Sequence, residues 1–477
     1  MLLAVLLAIL TPLAQERSQG APAEELYRQG VAAERRGDLQ TALSSYQRAV
    51  ERDPAHALAL DRLGFVLGRM GRTSDALTHF ERAVAIAPNL FDAQYHLGAT
   101  RWWTKDLAGA RTALEAAVRL QPSHAEAQYY LGVTLRQSGD AVKGIVHLRE
   151  AVRLAPKLAP ARLQLGVALQ QAGDVDGAVE HLTAAAAIDP SSDDAQNSLG
   201  LSLMQIGEGD RAIAIFKSLI AKNASNATAR LNLGTTLMQR GELDAAVDVF
   251  EEAVRLQPAS AELRYNLGLA LKQREDFVAA EEQLRRAMEL DRTLPEAPFT
   301  LGVLLWQTGR GAEAVALFRE AVARREDYVD AHYMLGTVLR QQGAMTDAIA
   351  EFRRVVALNP SYAEGHLSLG QALTATGDTV SAQSALREAE RLNTLKANAQ
   401  ASTFAVGVGV EKLKAGDIAG AIQRFRDATK LAPDNPRAHY QLALALRRSG
   451  AVEEAREHFA EAHRLAPYLV PPAEEKR

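Results

Sequence analysis

The chain has 477 residues, of which 47% are hydrophobic and 23% charged, a balance that excludes a disordered protein and suits a folded one. A net charge of −4, with no cluster of basic residues, gives no reason to expect nucleic-acid binding. The absence of cysteine excludes a disulfide framework, a zinc–thiolate site and a cysteine nucleophile.

The first predicted element is a short apolar segment. Residues 2–10 form an apolar run that ends at Thr11 and Pro12, and Ala14 is a small residue suited to cleavage. We predict a signal peptide over residues 1–14 and a linker over 15–22, because the run is too short to span a bilayer as a helix. A mis-assigned start codon or an uncleaved anchor is the alternative. The segment predicts an exported protein, periplasmic or secreted, with no integral membrane segment after cleavage.

A 34-residue period organises residues 23–396. Eleven glycines recur at this spacing without a slip: Gly30, Gly64, Gly98, Gly132, Gly166, Gly200, Gly234, Gly268, Gly302, Gly336 and Gly370. With this glycine numbered position 8 of each repeat, position 20 is small and position 27 is usually alanine. Positions 15 and 32 are commonly glycine and proline. We therefore predict eleven contiguous repeats of one structural unit.

Each repeat is predicted to be a pair of helices. Leucines at positions 7 and 11, such as Leu131 and Leu135, form an apolar stripe on a first helix, which we expect to pack on the second. Glycine at position 15 favours the positive φ of a helix end, and proline at position 32 stops the second helix. Small residues at positions 8, 20 and 27 allow the helices to approach closely. Such a hairpin buries its apolar face only against neighbouring repeats.

The period is interrupted once. Residues 397–401 break the register, and we expect either a longer second helix or a kinked joint there, with any flexibility at this point. Two further repeats over residues 402–469 carry the same markers, among them Gly409, Gly416, Gly450 and Pro467. Residues 470–477 are predicted to form a short, frayed C-terminal tail.

This pattern resembles the tetratricopeptide repeat family, which has a 34-residue helix–turn–helix signature. The resemblance implies an all-α fold, a right-handed α–α superhelix of about thirteen helical hairpins. It also implies that partners bind in a concave groove lined by the first helices. The tryptophan that the family often has at position 4 is absent, and several repeats have glutamine, arginine or histidine there, among them Gln94, Gln128, Arg162, Gln196, His332, His366 and His439. The lysine and asparagine of the family's chaperone-binding carboxylate clamp are missing from positions 5 and 9, so we expect no capture of chaperone tails.

The predicted groove face carries a column of glutamines. Positions 2, 6, 9 and 13 lie opposite the leucine stripe. Position 13 is glutamine in seven successive repeats: Gln137, Gln171, Gln205, Gln239, Gln273, Gln307 and Gln341. Each carboxamide both donates and accepts, so the column could bind the backbone of an extended polypeptide. It is similar to the asparagine ladder of O-linked N-acetylglucosamine transferases, although asparagine occupies position 6 here only at Asn232 and Asn266. The alternative is an exposed helix former inherited by repeat duplication.

Aromatic residues are the other candidates for partner contact. Position 5 is often aromatic, with Tyr95, Tyr129, Tyr265 and Tyr333 placed either in the groove or between adjacent helices. The three tryptophans, Trp102, Trp103 and Trp306, fall at positions 12 and 13, outside the leucine stripe. Large apolar side chains there favour partner contact, and packing on a neighbouring repeat is the alternative. We predict the adjacent pair to be the binding hot spot.

The sequence carries no recognisable catalytic motif. It has no phosphate-binding GxxxxGK[ST], no HExxH and no GxSxG, so we expect no enzyme activity, cofactor or metal. The leading interpretation is a non-catalytic scaffold that binds partner proteins or extended peptides in the groove. One alternative is a recruiting or regulatory subunit for a separate enzyme, such as a glycosyltransferase. Another is a structural solenoid that self-associates.

Overall fold

The structure, a computed structural model, describes residues 22–469. The predicted signal peptide, all but the last residue of the linker and the tail over 470–477 lie outside the described residues. Residues 22–469 contain 25 α-helices and no strand, which confirms the all-α fold class. In this described part of the chain, no helix combines the length and the apolar character needed to cross a membrane.

The chain divides into two compact units between Ser191 and Ser192. The 34-residue period continues unchanged past this point, so the sequence gives no sign of the division. The first unit contains α1 (Ala23–Arg35), α2 (Leu39–Arg52), α3 (Ala57–Arg69), α4 (Thr73–Ile86), α5 (Phe91–Trp103), α6 (Leu107–Leu120), α7 (Ala125–Gln137), α8 (Ala141–Leu154), α9 (Ala159–Gln171) and α10 (Val175–Ile188).

The second unit contains the remaining fifteen described helices. They are α11 (Asp193–Gln205), α12 (Gly209–Lys222), α13 (Ala227–Gln239), α14 (Leu243–Leu256), α15 (Ala261–Gln273), α16 (Phe277–Leu290), α17 (Glu296–Gln307), α18 (Gly311–Arg324), α19 (Val329–Gln341), α20 (Met345–Leu358), α21 (Ala363–Ala375), α22 (Thr379–Lys414), α23 (Ile418–Leu431), α24 (Pro436–Ser449) and α25 (Val452–Leu465). Up to α21, odd-numbered helices are the first helices of their repeats and even-numbered helices the second.

The turn between the two helices of a repeat has the left-handed backbone predicted for position 15. Gly241, for example, has φ 76°. Lys105 and Glu275 occupy the same position without glycine, and both keep positive φ values of 68° and 69°. Residues with a Cβ are disfavoured in this conformation, so these two turns carry backbone strain.

Position 8 is glycine because the second helix of the same repeat leaves no room for a side chain. A Cβ added to Gly64 would lie 2.8 Å from Cε1 of Phe80, and one added to Gly234 would lie 2.5 Å from Cζ of Phe250. Both phenylalanines are at position 24 and are buried. The close approach expected of the small residue at position 8 is therefore present in both hairpins.

The leucine stripe packs on the preceding repeat. Leu131 and Leu135 of α7 share one buried cluster with Ala110 and Leu114 of α6, the second helix of the repeat before. Ala127, at position 3 of α7, likewise packs with α6. We expected the stripe to pack on a second helix, and the second helix that it contacts here is that of the preceding repeat, while the glycine at position 8 makes the close contact within the hairpin. The stripe instead joins repeats to each other.

The contacts of the side chain at position 4 explain why this chain lacks the tryptophan that the family often has there. Its side chain donates a hydrogen bond to the backbone carbonyl six residues earlier, in the turn that joins two repeats; the Gln128 Nε2 to Pro122 O distance is 2.7 Å. The same bond is made by Gln94, Arg162, Arg230, Arg264, His332, His366 and His439. Glutamine, arginine and histidine can each donate an N–H to this carbonyl, which explains why these three residue types recur at position 4.

The register break lies within a continuous helix. Residues 397–401 are in the middle of α22, which runs for 36 residues from Thr379 to Lys414. The structure thus contains the longer helix, one of the two alternatives drawn from the sequence. The N-terminal half of α22 is the second helix of the eleventh repeat, and its C-terminal half is the first helix of the twelfth.

Candidate functional site

The first helices form the candidate binding surface of each unit. In the first unit α3 contacts α5 and α5 contacts α7; in the second unit α11 contacts α13 and α13 contacts α15. The described helices show no comparable contacts between successive second helices of a unit. The first helices therefore lie closer together, on the narrower side of each stack, where positions 9, 12 and 13 of successive repeats become neighbours.

The predicted glutamine column is exposed. Each of the seven glutamines is the last residue of a first helix, and each side chain is exposed. The first unit holds Gln137 and Gln171, and the second holds Gln205, Gln239, Gln273, Gln307 and Gln341. The structure thus places all seven side chains where a ligand can reach them, in one set of two and one set of five.

Three of the seven carboxamides already bind the preceding repeat. Trp102 Nε1 donates to Gln137 Oε1 at 2.9 Å, and Trp306 Nε1 donates to Gln341 Oε1 at 2.8 Å. A weaker bond joins Arg136 to Gln171 at 3.4 Å. Position 12 of one repeat therefore lies beside position 13 of the next. For the other four glutamines, Gln205, Gln239, Gln273 and Gln307, the described residues provide no side-chain hydrogen bond.

The tryptophan pair separates into two environments. Trp102 is half-buried and packs on the cluster that contains Leu131 and Leu135, with its ring edge-to-face on Tyr130 at 5.3 Å. Trp103 is 72% exposed. Trp102 thus packs on the next repeat, as the alternative interpretation held, and Trp103 is the side chain of the pair that faces solvent.

The four candidate tyrosines are half-buried between repeats. Tyr95 OH donates to Glu126 Oε2 at 2.7 Å, and burial together with this bond raises the pKa of Tyr95. Burial also raises the pKa of Tyr129. The hydroxyls of Tyr265 and Tyr333 each accept a 3.4 Å hydrogen bond from the following repeat, from Thr300 and Ser368 respectively. These contacts hold successive first helices together.

The two asparagines at position 6 do not continue the glutamine column. Asn232 Nδ2 donates to Asn197 Oδ1 of the preceding repeat at 2.7 Å. Asn266 Nδ2 donates to the Glu262 carbonyl of its own helix at 2.8 Å. Both side-chain amides thus have partners within the protein, and only Asn232 links two repeats.

Position 12 supplies functional candidates that the sequence does not single out. In the second unit this position holds Met204, Met238 and Lys272, all half-buried next to the exposed glutamines. Burial lowers the pKa of Lys272, and among the described residues its ammonium has no ion-pair partner. In the sequence, a lysine at the end of a helix is explained by the helix dipole alone. What marks Lys272 as a candidate is its alignment with Met204 and Met238, which occupy the same position in the two preceding repeats.

The described residues contain no group of three or more side chains placed to hold a metal ion. From Gln205 to Gln307, the surface of the second unit presents exposed carboxamides, the thioethers of Met204 and Met238 and the ammonium of Lys272, whereas the exposed indole of Trp103 belongs to the first unit. These groups supply hydrogen bonds, apolar contact and one charge, which are the elements of peptide recognition.

Models of the tetratricopeptide repeat match the chain over residues 23–89, 105–159, 163–228, 234–274, 261–294, 299–363, 346–397 and 409–469. Among curated proteins, none matches the chain.

Solved structures of similar fold are shorter or more distant. MamA from Desulfovibrio magneticus RS-1 is 28% identical, with a TM-score of 0.33, and the alignment covers 36% of this chain and 97% of that one. A thermophilic tetratricopeptide repeat protein from Thermus thermophilus is 24% identical, with a TM-score of 0.34, covering 38% and 98%. The Cut9–Hcn1 hetero-tetramer of the APC/C is 14% identical, with a TM-score of 0.36, covering 89% and 96%.

At these TM-scores the assignment rests on the repeat matches, which cover more than half of the chain, and on the helical hairpins that the structure contains. Members of this family bind protein or peptide partners and are generally non-catalytic. The chain belongs to the tetratricopeptide repeat family.

Proposed function

We propose that the protein is a non-catalytic scaffold whose second unit binds an extended peptide along Gln205, Gln239, Gln273 and Gln307. One observation carries this proposal: four successive repeats expose a carboxamide that has no side-chain partner among the described residues. Packed helices lie about 8–10 Å apart, and an extended chain advances about 3.3 Å per residue. One carboxamide therefore meets roughly every third residue of the peptide.

The chemistry of this column favours backbone recognition. Each carboxamide has two donors and an acceptor, so it can bind both a peptide N–H and a peptide carbonyl without regard to the side chain between them. Met204 and Met238 offer adaptable apolar contact beside the column. The ammonium of Lys272 favours a carboxylate on the ligand. The proposed ligand is therefore an extended peptide with apolar residues and an acidic group.

An array of random 12-residue peptides tests this function. We expect the Gln239→Ala/Gln273→Ala double variant to bind the array about five- to 150-fold more weakly, irrespective of peptide sequence, because each lost hydrogen bond contributes about 0.5–1.5 kcal/mol. Gln423, exposed on the second helix α23, is the matched control, and Gln423→Ala is expected to bind like the wild type. Equal loss in both variants, or no loss in either, would contradict the proposal.

We also propose that the chain is exported, with cleavage near Ala14. The apolar run over residues 2–10 and the lack of cysteine support this proposal. N-terminal sequencing of the protein isolated from its native host is the test. We expect a mature chain that begins near Gln15 and is found outside the cytoplasm. An unprocessed chain in the cytoplasmic fraction would contradict export.

A further inference from the structure

One face of α22 lacks the cover that the same face has in other repeats. In the C-terminal half of this helix, Phe404 is 75% exposed and Val408 is half-buried. A Cβ added to Gly407 would meet nothing within 4 Å. With Glu411, Lys412 and Ala415, these residues line an open apolar depression of about 560 Å³. An exposed phenylalanine in an apolar stripe indicates an interaction surface.

The preceding repeat covers this face elsewhere in the chain. Phe404, Val408 and Lys412 are at positions 3, 7 and 11 of the twelfth repeat. At the junction of the third and fourth repeats, the residues at these positions pack on the second helix of the repeat before. There Ala127 packs with Ala117, and Leu131 and Leu135 pack with Leu114 and Ala110. The exposed face of α22 is therefore one half of a repeat junction.

The complementary half lies on the same helix, out of reach. Leu386, at position 24 of the eleventh repeat, is half-buried, whereas position 24 is buried in every other described repeat. It lies 22 residues before Val408. At 1.5 Å per residue, a continuous helix holds these two side chains about 33 Å apart. A single copy of the chain therefore cannot bring the two halves of this junction together.

We propose that two copies of the chain pair through antiparallel α22 helices, so that the eleventh repeat of each copy covers the twelfth repeat of the other. Successive helices at a repeat junction are antiparallel, and two antiparallel α22 helices reproduce that geometry twice about a two-fold axis. The pairing surface on α22 is distinct from the glutamine column, and the pairing is independent of the proposed peptide binding.

The register of the junction between the third and fourth repeats determines which residues of the two α22 helices face each other. Carried over to α22, it places Phe404 of one copy opposite Ala389 of the second copy, Val408 opposite Leu386 and Lys412 opposite Ala382.

The two-fold axis then crosses α22 near Ala397. The stretch over residues 397–401 contains three exposed alanines, so two helices can approach closely at the axis. Phe404 is larger than the alanine found at position 3 in most repeats. Leu263 at the same position is buried, which shows that a junction can hold a larger side chain.

Sedimentation velocity of the full chain over a range of micromolar concentrations tests the pairing. We expect a reversible dimer, and we expect Phe404→Asp to raise its dissociation constant at least about tenfold, because a central aromatic side chain is lost and a charge is placed in the interface. Val278, 87% exposed on α16, is the matched control: Val278→Asp should leave the dimer unchanged. Because Phe404 faces solvent in the single chain, far-UV circular dichroism of the variant should match the wild type.

The absence of native cysteine allows a second, independent test. Ala397→Cys places one thiol of each copy at the two-fold axis, so mild oxidation should give a disulfide-linked dimer in high yield. Val278→Cys should give little. A chain that stays monomeric at all concentrations would overturn the proposal, as would a dimer that survives Phe404→Asp. The proposal would also be overturned if the Ala397→Cys and Val278→Cys variants cross-linked equally. The same holds if the chain stayed monomeric while its Phe404 face bound a helix of another protein.

Discussion

Two glycines of α3 test whether position 8 must be glycine because of packing. Gly64 and Gly68 lie one turn apart on the same helix. A Cβ on Gly64 would meet Phe80 Cε1 at 2.8 Å, Phe80 Cδ1 at 2.9 Å and the Ala76 carbonyl oxygen at 3.1 Å. A Cβ on Gly68 would meet only the Ala76 Cβ, at an ordinary 3.9 Å. Alanine substitutions at the two sites therefore differ chiefly in what the added methyl group meets.

The expected free energies of unfolding follow from two opposing terms. Alanine is preferred to glycine in a helix by about 1 kcal/mol, so Gly68→Ala should raise the stability by up to about that amount. Forcing a methyl group into a filled space costs about 1–3 kcal/mol, because Phe80 is buried and the Ala76 carbonyl belongs to the backbone. Gly64→Ala should therefore be less stable than Gly68→Ala by about 1–3 kcal/mol, and at or below the wild type.

Guanidinium unfolding followed by far-UV circular dichroism ranks the two variants. Repeat arrays can unfold in parts, so hydrogen exchange of the α3 and α4 amides should accompany it. We expect faster exchange in both helices for Gly64→Ala and unchanged or slower exchange for Gly68→Ala. If Gly64→Ala were as stable as Gly68→Ala, the steric reason given for the period of eleven glycines would be wrong.

Three further predictions concern other parts of the chain. Lys105→Gly should raise the free energy of unfolding by up to about 1 kcal/mol in chemical denaturation, because glycine removes the strain of a positive φ. Trp102→Ala should lower it by about 1–3 kcal/mol through lost packing, whereas Trp103→Ala should change it by less than about 0.5 kcal/mol; similar losses would contradict the different burial of the pair. The hydrogen bond with Glu351 raises the pKa of His332 above its usual 6.5. The stability from this pair should thus be fully present below pH 6.5 and be lost as the pH rises through the raised pKa. The difference in Tm between the wild type and His332→Gln should accordingly be larger at about pH 5.5 than at about pH 9; the opposite trend would refute the assignment.

The repeat fold is readable from the sequence because each structural constraint recurs. The glycine at position 8 marks a site with no room for a Cβ, as at Gly234 against Phe250. The glycine at position 15 marks a positive φ. A single such residue would be ambiguous, whereas repetition at one spacing fixes both helices and the turn between them.

The binding surface is only partly readable, because the sequence gives the face of a helix and not the neighbour across it. Helical geometry places Trp102 and Trp103 outside the leucine stripe, yet only the position of Gln137 in the next repeat shows that Trp102 has a partner there. The burial of Lys272 cannot be read from the sequence either, because it depends on the flanking helices. Likewise, the residues over 397–401 suit either a joint or a helix, and only the packing of the eleventh and twelfth repeats distinguishes the two.

Methyl NMR of the methionines is the most direct test of the central claim that the first helices of the second unit bind peptide. Met204 and Met238 lie beside the exposed glutamines, whereas Met345 begins the second helix α20 and serves as the internal control. Titration with a peptide that binds on the array should shift the methyl signals of Met204 and Met238 and leave that of Met345 in place. Peptide binding that shifts the methyl signal of Met345 would contradict the account. So would binding that shifts neither the Met204 nor the Met238 signal.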